Sequence, residues 1–426
     1  MIQAIGMLAA GQFRPMSARS HSALLCLVAA ATFMLGSPVI AQKRYGPGVT
    51  DTEIRIGQTM PYSGPISAYG AIGHAQLAYF QKINSEGGIN GRKVTLISLD
   101  DAYNPAKTVE HIRRLVEHDK VLLIFSSVGT VTNLAVRKYL NAQKVPQLLT
   151  SGGDTAWGDH KNYPWTIGWM PTFRSEARLY ARHILRTRPN AKIAVLYLND
   201  DYGRDYLQGL REGLSDKAGR LIVAERSYEI SDPTVKSQMV ELRASGADTL
   251  FTATAGKHAT QAIALAWELG WKPLHYTAFP ASQKVGILQP AGLEKSVGLI
   301  TAYYAKDPVI SKWKNDSAVR DYYAWAKKYY DGNANDGIAA YGYQVAQVME
   351  YILRRCGDDL TRENVMRVAT SMQSVVFPML MPGITANTSA SDYHPIKQFV
   401  LVRFDGDSWQ TISDVLSGDA VIGISK

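Results

Sequence analysis

The sequence predicts an α/β protein built as two lobes of similar design. Three observations carry that reading. Strand-like and helical runs alternate from about residue 53 to 150, which implies parallel strands with helices on both faces. The alternation restarts at "WTIGWMP", residues 165–171, and continues to about residue 279. Beyond an N-terminal leader, about 385 residues with one cysteine, Cys356, remain, so no disulfide within one chain can form and the fold must rest on its own core.

Taken in order, "KRYGPGVTD" reads as a loose leader. "IRIGQTM" is the first strand, followed by a helix near 72–85 and a Gly/Asn-rich turn, "GGINGR". "KVTLISL" is the next strand, and Val109, Ile112 and Val116 mark the helix after it by their spacing. "VLLIF", a helix near 130–143 and "VPQLLT" complete the first series. The second series runs through "WTIGWMP", a helix near 173–187, "KIAVLYL", the helix "YGRDYLQGLREGL" and "RLIVAERSY". It goes on through a helix near 234–244, "ADTLFTAT", a helix near 258–269 and "PLHYTAF". The last third differs: a strand "VGLITAYY", two long helices, and a hairpin from "IKQFVLVRF" and "WQTIS". In the second of those helices Ile338, Tyr341, Val345, Val348 and Ile352 form an apolar stripe. The Tyr/Trp cluster of the first, Tyr322 to Tyr330, reads as packing rather than as a cofactor box.

The N-terminus reads as an export signal. Arg14, Arg19 and His21 precede the apolar run "ALLCLVAAATFML", residues 23–35, and "SPVIA" ends in small Ala41. That is the order of a cleaved signal peptide, residues 1–41, and the run is too short to span a membrane. Cys26 lies inside the run, so a soluble export product is expected rather than a lipid-anchored one. Removing this segment lowers the formal charge from +9 to +7. No basic run or stacked aromatic–basic platform appears, which argues against nucleic acid as a partner.

Enzyme signatures are weak. No G-x-S-x-G elbow, Walker loop or H-E-x-x-H helix is present. His111 and His118 read as a solvated helix face, so no metal or other cofactor is expected. Asp100–Asp101 and Asp200–Asp201 end strands and read as caps of the following helices. "YSGPISAYG", residues 62–70, lies between a strand and a helix, but Gly64, Gly70 and Gly73 do not make the dinucleotide pattern G-x-G-x-x-G. Its tyrosines, serines and bare backbone suit a small ligand instead, with Ser67 and Tyr69 as contacts. "SSVGTVTN" carries Gly129 and Thr130 at a helix N-terminus, whose N–H groups and dipole suit a carboxylate. "TSGGDTAW" carries Ser151, Gly152, Gly153, Asp154 and Thr155 after the next strand. In parallel sheets ligands sit beyond the carboxyl ends of strands, so the three loops converge on one edge.

The order and spacing of "YSGPISAYG", "INSEGGINGRKV", "LDDAYNPAKTVE", "GTVTNLAV" and "NDDYGRDYLQGL" resemble the type I periplasmic solute-binding proteins, over nearly all of residues 50–410. Within these the chain is similar to the branched-chain amino acid (Leu/Ile/Val) receptors of ABC transporters. The resemblance implies two Rossmann-like lobes joined by a three-crossing hinge, with ligand bound in the cleft between them by hinge closure. It implies lobe one at 45–168 plus 281–378 and lobe two at 169–280 plus 379–426. It also implies a monomer that delivers a carboxylate-bearing small molecule to a membrane ABC permease.

Carried over by position, Tyr69 matches an aromatic lip and Gly129–Thr130 the carboxylate loop, with Gly129 where the family pattern has a serine. Ser151 to Thr155 match the next binding loop, and Tyr202 an aromatic of lobe two that closes over ligand. "AGKHATQ" matches the loop that supplies an acid for the ligand's ammonium, yet Lys257 and His258 stand there. Either Asp154 takes that role from the other lobe, or Lys257 and His258 favour an acid without an amine, such as an aromatic or dicarboxylic acid. An amino acid, branched-chain among the options, is the first expectation and such an organic acid the second. A ligand-sensing regulatory module is the rival from another class; no enzyme is expected.

Overall fold

The computed structural model of the protein describes residues 43–418. The expected signal peptide, residues 1–41, lies outside the described residues. Two sheets organise the rest, each flanked by helices. The first is built from β1 (Glu53–Met60), β2 (Lys93–Asp100), β3 (Ile124–Phe125), β4 (Gln147–Thr150) and β5 (Thr166–Gly168). All its pairs are parallel, in the order β2-β1-β3-β4-β5. Three helices connect these strands: α1 (Ala71–Ser85), α2 (Pro105–Glu117) and α3 (Thr130–Ala142). β1 is buried almost throughout, as a central parallel strand covered on both faces must be. α2 starts where it does because Pro105 fixes the first turn and the Asn104 carboxamide oxygen accepts from the Ala106 and Lys107 N–H groups.

The second sheet repeats the design. Its strands are β6 (Ile193–Leu198), β7 (Ile222–Tyr228), β8 (Thr249–Ala253), β9 (Leu274–Thr277), β10 (Ile300–Tyr303), β11 (Gln398–Phe404) and β12 (Trp409–Thr411). They lie in the order β12-β11-β10-β9-β8-β6-β7, and Leu416–Ser417 adds a short edge pairing to β11. β6 to β10 pair in parallel, whereas β10–β11 and β11–β12 are antiparallel. The helices are α4 (Phe173–Thr187), α5 (Asp201–Leu214), α6 (Lys236–Ala244) and α7 (Gly256–Glu268). α4 is capped by Thr172 and α5 by Asp200, whose carboxylate accepts from the Gly203 N–H at 3.1 Å. Asp200 thus caps as expected. Asp100 and Asp101 instead hold the loops at Ser63, Ala102 and Tyr103, and Asn104 does the capping.

Three later helices return to the first sheet's side. α8 (Ser317–Tyr329) and α9 (Gly337–Cys356) pack on α1, and α10 (Arg362–Ala369) packs on α9. Tyr322 and Trp325 are buried against Tyr343, with ring centroids 5.2 and 4.7 Å away, so the aromatic cluster is packing. The chain therefore passes between the sheets after β5, after β10 and again before β11.

The structure corrects two expectations here. Residues 281–378 were assigned whole to lobe one, but β10 lies between β9 and β11 in the second sheet. All four of its residues are buried and need ladder partners on both sides, which only that sheet provides. The leader "KRYGPGVTD" is tied down rather than loose. Arg44–Tyr45 pairs with Asp359–Leu360, and Arg92, only 2% exposed, donates to the Tyr45 hydroxyl and the Asp358 carboxylate. Cys356 is buried without a disulfide, and burial pushes its thiol up to about 12. Among the described residues, no helix is long and apolar enough to cross a membrane, and no group of three His, Cys, Asp or Glu is placed to hold a metal.

Candidate ligand-binding site

Strand order locates the site. In each sheet the order reverses beside its first strand, between β1 and β3 and between β6 and β8. Loops leave such a switch point in opposite directions and open a crevice beyond the carboxyl ends of the strands. The two crevices face each other, and between them lies a cleft with an empty volume of ≈ 720 Å³, its open mouth included. Loops after β1, β3 and β4 form one wall, and residues after β6 and β8 form the other.

The β1 loop enters through a short turn, Ser67–Gly70. Its phase turns Ile66 and Tyr69 into the cleft and leaves Ser67 exposed, away from the lining. The Tyr69 hydroxyl donates to the Pro280 carbonyl at 3.0 Å, and burial pushes that hydroxyl up to about 12. Opposite, Gly256 opens α7 at φ 52°, and a Cβ there would stand 3.0 Å from the Pro65 carbonyl. The two walls touch at that point.

Gly129 caps α3 with φ 104° and no side-chain cap bond. A Cβ at this position would lie 2.4 Å from the Tyr103 ring and 2.7 Å from the Thr132 hydroxyl. The Tyr103 ring thus occupies the space a serine side chain would need, which explains the glycine. α3 runs for 13 residues and begins at the cleft, which Gly129 and Thr130 line; the Gly129 N–H is given to the Ser151 carbonyl at 3.1 Å, and the positive end of the helix dipole lies beside Thr130. Ser151 and Gly152 line the same wall. The Ser151 hydroxyl meets Ser126 at 2.7 Å and accepts from the Tyr341 hydroxyl at 3.3 Å.

From the second wall Tyr202 reaches in. Its hydroxyl donates to the Thr254 carbonyl at 2.9 Å, and its ring meets Phe173 edge-on at 5.0 Å. The Tyr103 hydroxyl crosses between the walls to the Asp200 carboxylate at 3.3 Å. Burial first, and the Asp200 charge second, hold that hydroxyl well above its ordinary range.

Of the residues the sequence singled out, Tyr69, Gly129, Thr130, Ser151, Gly152 and Tyr202 line the cleft. Ser67, Gly153, Asp154, Thr155, Lys257 and His258 do not. Gly153 sits at the crossing after β5, where its carbonyl accepts from the Phe173 N–H at 2.6 Å. Asp154 is buried and accepts from the Ala156 N–H at 2.8 Å, so it caps its own turn instead of meeting a ligand ammonium. Thr155 donates from its N–H and hydroxyl to Asp205 at 3.1 and 2.8 Å. Lys257 is exposed on α7. His258 is fully buried behind Tyr228, ring centroids 4.5 Å apart, with Nε2 at 2.7 Å from the Asp232 carbonyl. A carbonyl only accepts, so Nε2 carries the proton, and burial lowers the ring's pKa and keeps it neutral. Sequence reasoning missed Tyr103, Phe173, Phe279 and Tyr341, four aromatic rings of the lining. Tyr103 lay within the quoted "LDDAYNPAKTVE" and Phe279 ended the quoted strand "PLHYTAF"; Tyr341 comes from a returning helix and read as part of its apolar stripe.

Among the described residues no charged side chain lines the cleft. Its polar groups are the α3 N-terminus, Thr130, Ser151, Gln283 and the tyrosine hydroxyls, set among Ile66, Ile72, Val128, Met170, Leu198 and Ile338. Two facing α/β lobes joined by three crossings, with a cleft between them, define the architecture. Residues 53–408 match the model described as "Periplasmic binding protein", and the chain belongs to this family of solute-binding proteins. It is 25% identical over 243 residues to the "Leu/Ile/Val-binding protein homolog 7" of Brucella abortus (strain 2308), across 55% of this chain and 60% of that relative. The match thus spans less than two thirds of the relative's length. A Thermus thermophilus structure titled a branched chain amino acid ABC transporter with bound valine superposes with a TM-score of 0.76 at 16% identity, covering 87% of this chain and 97% of that one. A fatty acid ABC transporter substrate-binding protein from Thermomonospora curvata superposes at 0.73 with 21% identity, covering 88% and 95%.

Proposed function

We propose that the protein is the periplasmic receptor of an ABC importer and that it encloses a small organic acid with an apolar body and no ammonium group. The observation that supports this reading is the charge of the cleft. Its anion-seeking feature is the positive end of α3, which begins at Thr130, and among the described residues no carboxylate stands in the lining to meet a cation. An ammonium buried without a partner is costly, whereas a paired one gains about 1.5–3 kcal/mol per charge-assisted hydrogen bond. The expected α-amino acid therefore loses its support, and the amine-free acid gains it. Aromatic and aliphatic walls suit the rest of such a ligand. The valine of the Thermus neighbour favours an amino acid and the name of the Thermomonospora neighbour an acid without an amine; the lining here matches the latter. Export to the periplasm, a permease partner and a monomeric state belong to the same proposal.

A thermal-shift panel tests it. Branched-chain amino acids, their deaminated analogues, aromatic acids and dicarboxylates are each added to refolded, ligand-stripped protein. Ligand at 100 times its dissociation constant adds roughly 2.7 kcal/mol, several degrees in melting temperature. Monocarboxylic acids are expected to stabilise and amino acids not. Stabilisation by leucine alone contradicts the proposal.

A further inference from the structure

The cleft does not end at Tyr341. A second, smaller chamber, narrow enough for one small polar group, adjoins it, and Phe279, Gln283, Gly337 and Tyr341 line both. One stripe of α9, Gly337, Tyr341 and Gln344 at helical spacing, runs from the cleft into this chamber. A Cβ on Gly337 would stand 2.2 Å from the Gln283 carboxamide oxygen and 3.2 Å from the Asp307 carboxylate, so the glycine keeps the passage polar and narrow.

The chamber's polar groups are unevenly satisfied. Asp307 accepts from the Val309 N–H at 3.1 Å, and Lys306 is held by Asp316 at 2.8 Å and the Pro378 carbonyl at 2.9 Å. Gln344 is 1% exposed, yet neither its amide nitrogen nor its amide oxygen has a protein partner. A buried amide left unmatched on both atoms is costly, and in a native structure it needs a reason. Tyr304, whose ring packs 5.1 Å from Phe279, also has a buried hydroxyl without a partner.

We propose that this chamber is a second subsite, in which Gln344 receives a neutral hydrogen-bonding group, a hydroxyl or a carboxamide, at the far end of the ligand. The proposal rests on the acid reading above and extends it to a two-ended molecule, with its carboxylate at Thr130 and its polar end beyond Tyr341. The chemistry decides the class. Gln344 offers one donor and one acceptor face, which a hydroxyl or amide matches on both sides. An ammonium leaves the amide N–H unmatched, and a second carboxylate meets Asp307. A site built to hydrogen-bond a ligand group rejects the analogue that lacks it.

The test pairs acids that differ only at the far end: 3-(4-hydroxyphenyl)propanoate against 3-phenylpropanoate, and 6-hydroxyhexanoate against hexanoate. Each is titrated calorimetrically into wild type and Gln344→Met. Wild type is expected to prefer the hydroxylated member of at least one pair by about tenfold or more, and Gln344→Met to shrink that preference to about twofold. Ligand-free Gln344→Met is expected to melt no lower than wild type, because the substitution removes an unmatched amide. Absence of any hydroxyl preference in wild type, its survival in Gln344→Met, or a melting point several degrees lower in the ligand-free variant overturns the proposal. If no acid binds, the acid reading fails by itself. The subsite then stands or falls on p-cresol against toluene, read by the same two criteria.

Discussion

The cleft between the lobes and the groove beside it differ in what lines them. The cleft is lined by tyrosines, phenylalanines and aliphatic groups without a charge. The groove beside it is lined by Arg137, Asp154, Arg174, Asp201, Arg204, Asp205, Arg211 and Glu225. In the groove the charges are tied to the protein itself. Asp205 accepts from Thr155 across the lobes and from Arg174 Nε at 2.9 Å, while Arg211 meets Glu225 at 2.8 Å. The difference separates two tasks that a binding protein must perform together. On the proposed reading, the Thr155–Asp205 contact latches the lobes to one another and the uncharged cleft chooses the ligand. The sequence placed Asp154 and Thr155 with the ligand; the structure puts Thr155 on the Asp205 contact between the lobes and Asp154 in its own turn.

The largest effect is expected where backbone strain and a ring collision coincide. Gly129→Ala places a Cβ at φ 104° against the Tyr103 ring. Strain of that kind costs about 1–3 kcal/mol. Calorimetric titration should show affinity falling by at least about thirtyfold, or about 2 kcal/mol. Unchanged affinity means that Tyr103 does not shape the carboxylate wall.

Asp205→Ala comes next. It removes both Thr155 bonds and the Arg174 partner without touching the cleft, at a cost of about 1–3 kcal/mol. Stopped-flow measurement is expected to show faster ligand release with the order of preference among acids unchanged. A changed order breaks the division between latch and chooser.

The groove also carries a pH signature. Burial, and after it the Asp205 charge, push Asp154 up to about 7. A carboxyl whose pKa is raised on folding binds more protons folded than unfolded between about pH 4 and pH 7, so its contribution to stability falls as pH rises through that window. Buried Glu176, also raised to about 7, acts in the same direction, while His183 and His275, lowered to about 4 and about 3, act against it. The difference between wild type and Asp154→Asn isolates the one group. Denaturant melts are expected to show the variant gaining on wild type by about 1 kcal/mol per pH unit from pH 4 to 7, then no further. A flat difference means that Asp154 is ionised throughout. The smallest effect belongs to Lys257→Ala, exposed and outside the cleft: affinity should stay within about twofold, as for most surface changes. A larger change returns α7 to the site.

Much of the architecture was legible because periodicity reports burial. Strands such as Ile193–Leu198 are buried on both faces and read as continuous apolar runs, and helices such as Pro105–Glu117 show one apolar stripe. β10 was assigned to the wrong lobe because a short buried strand carries no mark of its sheet. In the site, Tyr69 and Gly129 were legible because each follows a strand in a loop, whereas Tyr202 came only from the family resemblance. Ser67 and Ile66 were not separable, since the phase of a one-turn helix decides which points inward. Lys257 and His258 failed for a similar reason: α7 turns one to solvent and the other behind Tyr228. Tyr341 and Gln344 were hidden because they enter on the returning helix α9, where an inward residue reads as core, and Phe279 because it ends a run read as a strand.

Charge in the cleft decides between an amino acid and an amine-free acid, and one pair of ligands tests it directly. Leucine and 4-methylpentanoate share a carboxylate and a branched chain and differ by the ammonium. Titrated calorimetrically into the same ligand-stripped protein, the amine-free acid is expected to bind at least about tenfold tighter, a difference of about 1.4 kcal/mol. Tighter binding of leucine contradicts the claim and places a partner for its ammonium in a cleft described here as uncharged.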